Sequence, residues 1–263
     1  MVDPKALMNA IENLQGSGSF DDFANGILSE QLGWPIEYDG KSSLDRLTYD
    51  WTDDLQRLGL KKSDGPTELR QLRPFPDNPE LGIFLVTFGS DRAFTTGRGM
   101  TTPLRRILRE LVPKQRSSST NPTWDKNQLL FICQHGSKHF LFARFREPPE
   151  GSKLSTMHVF GWGPGDSLRT VSTHNLQFLE YSTLCADGAD KAFDVKRVGH
   201  LFYADYKRMF LKAKTLINHK GLSDDELHEA TQLLFSRFLL LRFIEKMGWL
   251  EFTDSQGGYL RAL

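Results

Sequence analysis

The chain has 263 residues, of which 25% are charged and 39% hydrophobic, and its 33 Lys and Arg balance 33 Asp and Glu. That profile is one of a globular protein with room for one large domain or two ordinary ones, and a net charge of zero says nothing about a partner, since it can still conceal a basic face. No apolar stretch approaches the ~20 residues of a bilayer-crossing helix, and the start "MVDPKALMNAIENLQ" lacks the apolar run of a secretory signal, so a cytoplasmic protein is expected.

In chain order, residues 3–32 read as helices. Asp3 precedes Pro4 at a favoured first helical position, "GSGS" ends that helix, and Ser19 caps a second one with Asp21 and Asp22 in its first turn. Phe23, Ile27, Leu28 and Leu32 form the buried stripe of the second helix.

From Leu69 to about Glu180 the pattern changes to short β-rich runs, "LGIFLVTFGS", "QLLFICQHG", "HFLFARFRE" and "STMHVFGWG", separated by turn residues. One helix interrupts them, "TTPLRRILRELVPK", with Leu104, Ile107, Leu108 and Leu111 on one side. After "GWGPG" the stretch "SLRTVSTHNLQF" reads as extended chain. Helical spacing returns from "ADKAFDVKRVGHLFYADYKRMFLKAKTLIN", with aromatics at Phe202, Tyr203, Tyr206 and Phe210. It continues in "LSDDELHEATQLLFSRFLLLRFIEKMGW", which Ser223 and Glu226 open as a capping box and Gly248 ends. The fold class expected is α/β (α+β), a central mixed sheet with flanking helices followed by a helical connector arm. The domains expected are 1–186 and 187–263.

The final helix is unusual. Between Leu233 and Met247 the polar residues are Ser236, Arg237, Arg242, Glu245 and Lys246, so apolar side chains surround most of its circumference and ask for cover on nearly all sides. The helix before it can cover one side, and the other asks for a neighbour. Leu234, Phe238, Leu241, Phe243 and Trp249 are the expected interdomain packing residues.

Several chemical motifs in the sequence also have a plain structural reading. Gly161, Gly163 and Gly165 alternate after a strand as in a cofactor loop, but with no helix expected next they read as a tight turn, with Trp162 as core. Cys133, His135 and His139, with His158 or Cys185 added, lack the paired half of a zinc site. The two cysteines fit reduced thiols. A nuclease needs two carboxylates and a lysine near a metal, yet "LGIFLVTFG" carries neither; Asp77 and Glu80 precede it, and Asp205 with Lys207 lies on a helix. The window 92–116 is locally basic, with Arg92, Arg98, Arg105, Arg106, Arg109, Lys114 and Arg116 against the single Glu110. Arg98, Arg105, Arg106, Arg109, Lys114 and Arg116 are the expected contacts to DNA phosphates, helped by the backbone of "TTGRGMTT"; the plain alternative is a solvated helix face.

Six stretches in order, "FANGILSEQLGWP", "LGIFLVTFGSDRAF" with "PLRRILREL", "WDKNQLLFICQHG", "GWGPGDSLRTVSTHNLQFL", "KAFDVKRVGHLFYADYKRMF" and "LLFSRFLLLRFIEKMGWL" with "YLRAL", resemble the N-terminal region of large bacterial DNA adenine methyltransferases. These are the type IIG restriction-modification fusions and their relatives in phage defence. The resemblance implies that the last helix leads into an S-adenosylmethionine-dependent methyltransferase domain, that the whole protein methylates adenine, and that DNA and other defence-system proteins are its partners. The Asn-Pro-Pro-aromatic motif that holds a flipped adenine is not in this sequence, which has "NPT" and "NPE", nor is the cofactor loop. The region is therefore expected to have no cofactor and no catalysis of its own. An interaction module of a defence complex and an N-terminal nuclease are the alternatives.

Overall fold

The computed structural model describes residues 2–17, 19–36, 47–60, 65–79, 81–96, 98–110, 129–146, 156–184, 188–217 and 221–246. The chain forms two compact units, Met1–Phe193 and Asp194–Leu263.

The first unit opens with α1 (Pro4–Ser17), whose start is held by Lys5 N–H donating to the Asp3 carboxylate at 2.9 Å. Ser19 and Asp22 exchange hydrogen bonds as a capping box for α2 (Phe20–Phe23), which runs on as a π-helical turn, Ala24–Ser29. Phe23, Ile27, Leu28 and Leu32 are fully buried, as their spacing predicts. Gly33, at φ 67°, turns the chain out of this segment with a backbone that favours glycine.

The centre is a mixed six-stranded sheet in the order β1 (Thr48–Asp50), β2 (Pro66–Leu72), β3 (Gly82–Phe88), β4 (Leu129–His135), β5 (His139–Arg146) and β6 (Thr156–Trp162). β3 and β4 are parallel, while the other neighbours are antiparallel. The parallel pair requires a crossover, and α4 (Arg92–Thr96) and α5 (Arg98–Glu110) lie between β3 and β4 in the chain. Short α3 (Thr52–Arg57) joins β1 to β2.

Alternation along the strands splits the core into two layers. Ile83, Leu85, Leu130, Ile132, Phe140, Phe142, Phe160 and Trp162 pack with α1, α2 and the π turn. Phe84, Val86, Phe88, Phe131, Cys133, Ala143 and Phe145 pack on the other face with α3 and α5. On the first face Phe140, Phe23 and Trp162 form an aromatic cluster, Phe140 stacking on Phe23 at 4.6 Å and on Trp162 at 5.2 Å between ring centres, with Phe23 and Trp162 6.4 Å apart. The β3–β6 strands fall on the β-rich runs of the sequence.

Three local expectations are corrected. "SLRTVSTHNLQF" is not extended: it forms α6 (Leu168–His174) and a 3-10 turn (Leu176–Leu179), because Leu168, Val171, Leu176 and Leu179 face the core at helical spacing. α7 (Tyr181–Thr183) and α8 (Ala189–Ala192) follow. The helix expected from about residue 189 is broken at Phe193 and Asp194, where the Asp194 carboxylate accepts from Arg197 N–H at 3.2 Å and restarts the chain as α9 (Val195–Ile217). Finally, α5 begins at Arg98 rather than at the "TTP" segment, so Met100–Thr102 are helix and Pro103 lies one turn inside it. Gly99 permits that earlier start, since a Cβ there would lie 3.0 Å from the Ala93 Cα of α4.

The second unit is a helical hairpin of α9 and α10 (Asp224–Lys246), each 23 residues. Lys214 Nζ meets Asp224 at 2.7 Å, Phe210 meets His228 at 5.0 Å and Tyr206 meets Phe235 at 5.3 Å, so the helices run antiparallel. Ser223 and Glu226 form the expected capping box. Phe210, Leu227 and Thr231 are buried in the seam, where the Thr231 hydroxyl donates to the Leu227 carbonyl at 2.7 Å.

Candidate nucleic-acid interface and docking surface

α5 has two chemically distinct sides. Met100, Pro103, Leu104, Ile107 and Leu108 are buried against the sheet, so the residues about 100° to 200° away around the helix face outward. Arg106 and Arg109 are exposed and Arg105 is half-buried. Arg106 Nε donates to Glu110 Oε1 at 3.2 Å, with the two side chains 48% and 42% exposed. Its guanidinium also reaches past the chain turn after α3, where a Cβ on Gly59 would lie 3.8 Å from Arg106 Nη1. Arg98 is the first residue of α5, while Lys114 and Arg116 lie outside the described residues. Of the six expected DNA contacts, then, Arg98, Arg105, Arg106 and Arg109 share one helix, and the last three differ in how they are held. The "TTGRGMTT" backbone, expected as an open phosphate-binding stretch, is largely helical.

The hairpin carries a second candidate surface. α9 covers one side of α10, and Leu233, Leu234, Phe238, Leu239, Leu240 and Phe243 remain exposed on the rest. Leu241 is half-buried and Trp249 lies outside the described residues. Leu201, Phe202 and Tyr203 of α9 are exposed too, and the antiparallel pairing brings that end of α9 beside the apolar half of α10. The turn end mixes exposed Leu211, Leu216 and Leu222 with Lys212, Asp225 and Glu229 in solvent, and there the Lys214 ammonium holds the Asp224 carboxyl below its usual range through a direct hydrogen bond. Along α10 itself the exposed large apolar side chains all lie from Leu233 to Phe243, in the half away from the connecting turn.

The metal reading is taken apart by sheet geometry. His135 and His139 are directly paired across β4 and β5, with ring centres 6.0 Å apart, but His158 pairs with Arg144 and stands on the opposite face. Cys133 is fully buried, which pushes its thiol far up from the usual range and leaves it protonated. Cys185 lies outside the described residues. His135 Nδ1 donates to the Phe88 carbonyl at 2.9 Å. Burial pulls the His139 pKa down, Asp91 and Asp166 oppose that, and His135 adds to it. Among the described residues no group of three or more His, Cys, Asp or Glu side chains gathers to hold a metal.

The glycine-rich turn is followed by a helix, α6, rather than by extended chain. A Cβ on Gly161 would lie 2.2 Å from the Phe140 carbonyl, so this glycine serves the close approach of β6 to β5, and Gly163 N–H donates to Asp166 at 2.9 Å. Trp162 is core, as expected.

Sequence reading missed one polar constellation. Glu68 on β2 accepts from Arg70 Nε at 2.5 Å and from the Thr87 hydroxyl of β3 at 3.1 Å, so an acid-x-base spacing exists on the strand before the one searched. Each partner is engaged by the other, and Asp50 nearby accepts from Thr52 N–H at 2.8 Å at the start of α3. The signal was the alternation in "PTELRQL". Asp77 is exposed in the β2–β3 turn, Glu80 lies outside the described residues, and Asp205 pairs with Arg208 at 2.8 Å on α9.

No helix among the described residues is long and apolar enough to cross a membrane. No protein-family model matches the chain, and neither a curated protein nor a solved structure matches it.

Proposed function

We propose that this chain is a DNA-contacting and docking region that works beside an adenine methyltransferase core of the restriction-modification or phage-defence kind its segments resemble. The observation that carries the DNA part is the one-sided seating of α5. Its apolar side is buried on the sheet, so Arg106 and Arg109 are presented outward on a rigid element. Charged groups on such a helix exchange counterions for DNA phosphates without reading sequence.

The docking part rests on the apolar end of the hairpin. Contiguous exposed apolar side chains of this kind mark interaction surfaces. S-adenosylmethionine and methyl transfer belong to the core in this reading, and the region itself positions. The test is fluorescence anisotropy of residues 1–263 with a random-sequence duplex across salt concentrations, beside the Arg105→Ala, Arg106→Ala, Arg109→Ala variant. Salt-dependent binding that the variant loses supports the reading, and no binding at low salt refutes its DNA part.

The hairpin also favours a second reading, an interaction module of a defence complex whose arginines only solvate the surface. Association that ignores salt and needs the α10 leucines would support that reading instead.

A further inference from the structure

The arginines of α5 are not equivalent, and the difference lies in one carboxylate. Arg106, Arg109 and Glu110 sit at i, i+3 and i+4, so they are neighbours on the outward surface of the helix. Glu110 follows its arginine in the weaker order for an i, i+4 pair. The acid therefore does little for the helix. Its clearest contact is Arg106 Nε at 3.2 Å, in a pair about half open to solvent.

We infer that Glu110 competes with DNA phosphate for the Arg106 guanidinium, so that this single acid sets how much of the basic face is available to DNA. The inference rests on the proposed DNA contact and deepens it by naming what regulates that surface. A phosphate arriving at Arg109 meets Arg106 one helical turn away, and Arg106 must exchange one oxyanion for another to join the contact. Exposed pairs of this spacing are weak, so the exchange costs about a factor of two in affinity.

The experiment is a double-mutant cycle on the full chain, by anisotropy with a labelled random-sequence duplex at one low salt concentration. The four proteins are the parent, Arg106→Ala, Glu110→Gln and the double variant, each checked for unchanged helix content by circular dichroism. Glu110→Gln is expected to tighten binding about twofold when Arg106 is present, and to change nothing in the Arg106→Ala background. Equal tightening in both backgrounds would overturn the inference, because Glu110 would then only repel phosphate, and so would a Glu110→Gln protein that binds like the parent. If none of the four binds, the DNA reading falls and this inference with it; binding without coupling sinks the inference alone.

Discussion

Replacing Leu233, Leu239 and Leu240 together by Gln perturbs the apolar end of the hairpin without touching its seam. These leucines are 53%, 48% and 57% exposed, so about half of each remains in water. Full burial of a leucine is worth ~1.5–3 kcal/mol, so covering the exposed half is worth about 1 kcal/mol each and about 3 kcal/mol for the three. That is roughly a hundredfold in Kd for whatever docks there. The same substitutions on already exposed positions should each leave stability within about 0.5 kcal/mol. The assay pairs isothermal titration against the adenine methyltransferase core proposed as its neighbour with thermal unfolding of the chain alone. Docking should weaken about a hundredfold while the unfolding midpoint holds. An unchanged affinity would refute the docking surface, and a collapse of the midpoint would show that these leucines are internal to the chain's own fold.

Three further outcomes follow from the first unit. Gly161→Ala should destabilise by several kcal/mol, measured by urea unfolding, because the new Cβ would meet the Phe140 carbonyl at 2.2 Å and Leu141 Cα at 2.8 Å within the β5–β6 pairing. A stable Gly161→Ala protein would mean that β5 and β6 pair differently. His139 has its pKa lowered from 6.5 by burial, so the unfolded state takes up a proton first; its contribution is present above pH 6.5 and is lost as pH falls through the lower folded value. His139→Gln should therefore flatten the fall of the urea midpoint between pH 7 and 5, and an identical fall in both proteins would contradict the burial. In a Cys185→Ser background, Cys133 should stay silent to a thiol reagent until the protein unfolds, since the thiol is fully buried and protonated. Fast labelling of the folded protein would refute its place in the core.

What the sequence made legible follows from how local each signal is. Phe23, Ile27, Leu28 and Leu32 show helical spacing in a few residues, and Phe140 and Phe142 alternate with Leu141 and Ala143, so the buried helix stripe and the β3–β6 strands could be read directly. β1 is only three residues long, and β2 carries Glu68 and Arg70, whose polar alternation hides a strand unless its partner Thr87 is known. "SLRTVSTHNLQF" is rich in β-branched and hydroxyl residues, a weak local preference that burial of Leu168, Val171, Leu176 and Leu179 overrides. The all-round apolarity of α10 was plain in the sequence. That one side would be left without cover was expected too, but which residues stay exposed depends on how α9 lies against it. In the candidate interface the arginines were countable, whereas the pairing of Arg106 with Glu110 and the half-burial of Arg105 depend on where α5 starts and how it is rotated on the sheet.

The measurement that bears most directly on the account is the salt dependence of DNA binding by the chain, parent against the Arg105→Ala, Arg106→Ala, Arg109→Ala variant. The account predicts that log affinity falls linearly with log salt, with a slope of about 0.9 for each phosphate neutralised, and that the variant loses up to three such contacts. Parent and variant binding with the same slope, or neither binding at low salt, would contradict it.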